Sequence, residues 1–167
     1  MLLLNASPIA YDASRAVGRV KQLEVKTMRP QSISELLNLP NMQVTAFAFE
    51  EQNGSEYVHL FCEHEAGVAI CPCCQQVVTG IYDSKERSVR HLDIFGKRCI
   101  IHFEQRRFDC SKCNKPFSEP LAWIDPKRRQ TRAFEQYIYE CITNKKMTRK
   151  GVARAEGLER FASPWGT

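Results

Sequence analysis

Two Cys-x-x-Cys knuckles, Cys71-Pro72-Cys73-Cys74 and Cys110-Ser111-Lys112-Cys113, constrain the fold of this chain more than any other feature. One knuckle alone would suit a redox dithiol; two supply the four thiolates of a tetrahedral structural zinc site. Thirty-five residues separate them, against about 15–20 in the common template. A long β-hairpin over the intervening segment would return the second knuckle to the first. Cys71 and Cys74 have the two-residue spacing that turns both sulfurs toward one ion. Cys73 competes for the role, and Cys74 is preferred. Pro72 fixes one backbone torsion inside the knuckle and removes one donor, as a tight turn around a metal permits.

The remaining pattern predicts an α+β chain: a small β-hairpin module, then a zinc ribbon, then two short helices of an incomplete helix-turn-helix. Residues 1–29 lack periodicity and read as a flexible tail, with Met28 a candidate start. In the 30–70 module, Ser32 and Glu35 fit a capping box for a short helix that Pro40 ends. Strands are expected at Gln43–Glu51 and Glu56–Glu63, joined through Asn53-Gly54, a dipeptide suited to a tight hairpin turn. His59 and His64 on this hairpin read as solvated or hydrogen-bonded residues rather than ligands. The ribbon spans 71–125 and contains two antiparallel strands between Glu86 and Asp109, turning at Gly96. Cys99, Ile101 and Phe103 should face one way; Arg98, His102, Glu104 and Arg106 the other. His91 and His102 read as polar-face residues. Phe117 and Trp123 should pack where the chain leaves the second knuckle.

In 126–158, Thr131 can cap a helix whose apolar residues Phe134, Tyr137, Ile138, Cys141 and Ile142 share one face. Thr148 can cap a second helix, stopped by Gly157. Residues 159–167 are an off-pattern tail. Cys62, Cys73, Cys99 and Cys141 are expected as small apolar fillers or spare thiols. No signal-peptide pattern and no bilayer-length apolar run is present, so the expected location is the cytoplasm, whose reducing conditions suit thiolates.

Charge is unevenly placed. Residues 30–70 carry six acidic side chains and no Lys or Arg; residues 85–115 carry nine basic against four acidic, and 126–154 nine against two. The second half therefore suits a polyanion, and nucleic acid is the expected partner. Candidate contacts are Arg87, Arg90, Lys97, Arg98, Arg106 and Arg107 on the ribbon, Lys127, Arg128 and Arg129 in the linker, and Lys145, Lys146, Arg149 and Lys150 around the second helix.

The residues that carry a family resemblance are Ile33–Leu39, the Cys71-Pro72-Cys73-Cys74 knuckle and Arg90-His91-Leu92-Asp93-Ile94-Phe95-Gly96-Lys97. Arg106-Arg107-Phe108-Asp109-Cys110-Ser111-Lys112-Cys113, Met147–Ala153 and Gly157-Leu158 complete it. In this order they resemble the N-terminal region of bacterial insertion-sequence transposases of the ISL-three type. The resemblance implies a zinc ribbon and helix-turn-helix that hold transposon ends, followed by a ribonuclease-H-like domain that cuts and joins DNA with a carboxylate triad. Where that family commonly has Leu-Pro-Ile-Gly-Gly, this chain has Leu92-Asp93-Ile94-Phe95-Gly96. Only nine residues follow Leu158, so the expectation is a truncated, non-catalytic fragment with no assignable triad. Lacking a third helix, it should bind DNA with little sequence preference. Ile138, Ile142 and Val152 would then be left exposed, offering a face for self-association unless they dock elsewhere.

Two other classes compete. Zinc could hold a protein-interaction module whose acidic 30–70 segment meets a partner chain. A rubredoxin-like iron carrier would also use paired knuckles, but needs neither the long basic hairpin nor the helices.

Overall fold

The computed structural model describes residues 26–27, 34, 36–37 and 39–158. Most of the 1–29 tail, Met28, Ser32 and Glu35 of the capping box, and the 159–167 tail lie outside the described residues. Among the described residues, the elements in chain order are β1 Lys26–Thr27, β2 Met42–Gln52, β3 Ser55–His64, β4 Ala69–Ile70, β5 Val77–Val78, β6 Ile81–Ile94, β7 Lys97–Cys110, β8 Lys115–Ser118, α1 Arg132–Thr143 and α2 Arg149–Ala155. One sheet runs β1-β2-β3-β7-β6, with β8 also on β7, and β4-β5 form a separate ribbon. Part of the expected tail is thus strand: Lys26 and Thr27 pair with Phe47 and Ala46.

Both hairpin turns are set locally. Asn53 and Gly54 have φ of 52° and 72° between paired Gln52 and Ser55, the conformation that an Asn-Gly pair favours. Phe95 and Gly96 repeat it, with φ of 51° and 76°, between Ile94 and Lys97. Phe95 holds a left-handed conformation that costs a side chain like its own about 1–2 kcal/mol, and it is 98% exposed.

β7 is the central strand. β6 lines one edge along its length; the other edge is shared by β3, parallel over Arg98–Phe103, and β8, antiparallel over Arg107–Cys110. The segments expected as separate modules, 30–70 and 71–125, therefore contribute to one sheet and one core. Val44, Val58, Leu60, Cys62, Val89, Cys99, Ile101 and Phe103 form its inner face, closed by Leu39, Leu121, Trp123 and Ile124. Trp123 meets Phe103 edge-on at 4.9 Å, and Phe117 stacks on Phe108 at 5.8 Å. Burial lifts the Cys62 and Cys99 thiols to about 12, so both stay protonated as apolar filler.

The helical apolar face is covered, so of the two expected outcomes the docked one holds. Ile138 and Val152 are buried with Phe134, Cys141 and Leu158; Leu92 from β6 and Ile142 pack against them. The helices dock on the far end of the hairpin, and self-association through that face loses its basis. Arg90 fastens the dock. It is 2% exposed, bonds the carbonyls of His91 and Cys99, pairs with Asp93 and Glu156, and lies 4.8 Å from the Phe134 ring centre. Arg98 adds a bond to the Ala155 carbonyl beside Gly157, whose φ is +65°. No helix among the described residues is long and apolar enough to cross a membrane.

His91 is buried, not on a polar face. Its Nδ1 lies 2.9 Å from Thr131 Oγ1, the hydroxyl that caps α1 by accepting from Phe134 N–H. The hydroxyl donates to the ring only while Nδ1 is unprotonated. Burial, then the Arg90 charge, depress the His91 pKa to about 4. From about pH 6.5 down to 4 the unfolded chain binds a proton that the folded chain refuses, so stability is full above that window and falls with pH inside it. The loss should approach about 3 kcal/mol. Thiolate protonation should affect His91→Asn and the parent alike. Denaturant titrations at pH 7 and pH 4.5 should therefore show a smaller acid-induced loss in His91→Asn; equal losses would contradict the assignment.

Candidate metal centre and nucleic-acid interface

Each knuckle is shaped by its own backbone. The N–H of Gln75 bonds the Cys71 carbonyl at 2.9 Å, and the N–H of Asn114 bonds the Cys110 carbonyl at 2.7 Å. Gln75 and Asn114, each just after a knuckle's last cysteine, have φ of 59° and 50°. The two knuckles are thus the same turn built twice. One sits in the β4–β5 ribbon and the other between β7 and β8. β6 and β7 hold them together: Ile81 pairs with Phe108 near the first knuckle's exit, and Cys110 ends β7.

The sulfurs of Cys71, Cys74, Cys110 and Cys113 lie within 4.8 Å of one another. Cys71 Sγ is 3.9 Å from Cys113 Sγ, and Cys74 Sγ is 3.5 Å from Cys110 Sγ. A tetrahedral ion with bonds of about 2.3 Å places its sulfurs about 3.8 Å apart, so the two closest measured pairs lie near the spacing that zinc requires. Cys71 and Cys110 are buried, Cys74 and Cys113 half-buried, while Cys73 is exposed and outside the cluster. The backbone amide of Cys74, joined by that of Cys73, bonds the Cys71 sulfur and lowers its pKa to about 7, favouring the thiolate a metal needs. Four cysteine sulfurs are the donor set typical of structural zinc sites.

The histidines are engaged elsewhere. His64 bonds the Glu104 carbonyl at 2.7 Å and faces Glu119 at 3.3 Å. Glu50, His59, His102 and Ser88 form a hydrogen-bonded chain with steps of 3.0, 2.8 and 2.9 Å. Its members come from four strands, so nothing in the sequence announces it.

The candidate DNA contacts divide by exposure. Arg90 and Arg106 are buried; Arg106 grips Glu119 with two bonds of 2.8 Å and reaches the Ala66 carbonyl. Both are withdrawn from any ligand by internal bonds. Arg87 is half-buried, bonding Gln105 and the Arg128 carbonyl. Lys97 pairs with Glu56 at 2.6 Å, Arg98 bonds Tyr57 at 3.1 Å, and Arg107 lies 4.0 Å from Asp83. Lys127, Arg128 and Arg129 are exposed ahead of α1, with Arg128 near Glu135. Lys145, Lys146, Arg149 and Lys150 are exposed beyond its other end. The two exposed groups are separated by α1, about 18 Å for its twelve residues.

Residues 67–113 match the family model of the zinc-finger of transposase IS204/IS1001/IS1096/IS1165. This segment is similar to the zinc ribbon of ISL3-type transposases. The transposase for insertion sequence element IS1001 of Bordetella parapertussis is 32% identical over 72 residues, covering 43% of this chain and 18% of that protein. The chain thus matches under a fifth of that relative's length, and the likeness is to a transposase zinc-ribbon region. No solved structure matches. The cofactor of such a ribbon is zinc, in keeping with the cysteine cluster.

Cys74→Ser should abolish stoichiometric zinc binding and unfold the base of the hairpin, because site formation and folding are coupled. Cys73→Ser should retain one zinc per chain. Metal analysis with circular dichroism checks both, and loss of zinc from Cys73→Ser would contradict the assignment.

Proposed function

We propose that this chain is a DNA-binding module of transposase origin, in which Cys71, Cys74, Cys110 and Cys113 hold one structural zinc and exposed cations beside α1 contact phosphates. The observation that carries the reading is the pair of exposed basic groups, 127–129 and 145–150, at the two ends of a helix docked on the zinc-bearing hairpin. Zinc takes no chemical role; it keeps the base of the hairpin closed, and Arg90 keeps the helices on the other end. Contacts from Lys and Arg to phosphates need no base readout and release condensed counterions, so affinity should fall with salt. The transposase likeness favours DNA as the polyanion, its named relative being the transposase of an insertion sequence.

Titration of a mixed-sequence duplex at several salt concentrations tests this. With about five phosphate contacts, log K should fall against log salt with a slope near about −4.5. Arg129→Gln/Lys146→Gln/Lys150→Gln should keep its zinc and flatten the slope by about three. Salt-independent binding, or an unchanged slope in the triple variant, would overturn the proposal.

A further inference from the structure

β6 is an edge strand of the sheet, and only part of its outer edge is covered. At Arg90 the returning chain closes it: Arg90 N–H donates to the Arg129 carbonyl, and Thr131 N–H donates to the Arg90 carbonyl. These bonds fix the phase of the strand. Backbone groups of every second residue before Arg90, namely Ser88, Glu86 and Ser84, point to the same outer side. Among the described residues no strand pairs with that side, and 81–86 are exposed on both faces. An open edge of this kind is a template for another strand.

The side chains specify which strand. In an antiparallel pairing of β6 with β6 of a second copy, residues opposite each other share a face and interact as cross-strand pairs. With the two-fold axis at Ser84, Asp83 stands opposite Lys85, and by symmetry Lys85 opposite Asp83. With the axis one residue later, Asp83 meets Arg87 but Lys85 meets itself. With the axis at Glu86, Lys85 meets Arg87 and Glu86 meets itself. Of these registers, only the one centred on Ser84 opposes unlike charges without setting like charges together. Ser84, an outward-pointing residue, also pairs correctly with its own copy at that axis. Within the chain Asp83 has only a 4.0 Å contact to Arg107 and is half-exposed, so its carboxylate is available.

We infer that β6 is a self-complementary edge through which two copies of this chain pair antiparallel about Ser84, joining their sheets into one. The interface is isologous, the same surface serving both partners. It is distinct from the helical face, which is already buried, and does not depend on DNA binding.

Sedimentation equilibrium of the zinc-loaded full chain tests the inference through charge exchange. Asp83→Lys places Lys opposite Lys at two symmetric positions. Lys85→Asp places Asp opposite Asp. Each should weaken the dimer about tenfold or more, the effect of two cross-strand pairs changing sign. Mixing the two variants opposes Lys to Asp at both positions, and the mixture should form a heterodimer at concentrations where each alone is monomeric. Zinc content and circular dichroism confirm that each variant is folded; if one is not, the double variant Asp83→Lys/Lys85→Asp should restore the homodimer. A monomeric parent chain, an unaffected dimer in both single variants, or a mixture that stays monomeric would overturn it.

Discussion

Four sulfurs brought to one point tie together segments that are far apart in the chain. Cys74 and Cys110 are 36 positions apart, and closing so long a loop costs entropy that local turns do not recover. A metal that binds the folded arrangement far better than the unfolded one supplies the missing free energy. The paired knuckles then fix the register of β6 against β7, since Cys110 ends β7 and Ile81 pairs with Phe108 two residues before it. Everything else leans on β7: β3 docks parallel to it, β8 folds back on it, and the helices pack on the far end of its hairpin.

The basic side chains therefore divide by environment. Arg90, Arg98 and Arg106 are internal fasteners, each directed at backbone carbonyls, with Arg90 and Arg106 also paired to carboxylates. Arginine suits such work because its planar fork can satisfy several acceptors at once. Lysines and arginines at 127–129 and 145–150 remain exposed, with Arg128 near Glu135 and Lys145 over the Tyr137 ring.

Local features were legible in the sequence. The Asn53-Gly54 turn, the caps at Thr131 and Thr148 and the knuckle spacing each rest on residues within a few positions of one another, where backbone preferences decide the outcome. The α1 face was legible as a face, but not what covers it, because Leu92 and Arg90 reach it through tertiary packing. Arg90 resembles any surface cation in sequence; only the fold shows that its partners include the Glu156 carboxylate. The parallel β3–β7 pairing was likewise invisible, since parallel neighbours leave no turn signal between them. That pairing is why the acidic 30–70 segment and the basic ribbon share one core.

Four cysteine sulfurs, and no other ligand, should close the base of the hairpin around zinc. X-ray absorption at the zinc edge of the purified chain measures this directly. Four sulfur scatterers at about 2.3 Å are expected, with no nitrogen or oxygen in the inner shell. A shell with three sulfurs and one light atom at about 2.0–2.1 Å would contradict it.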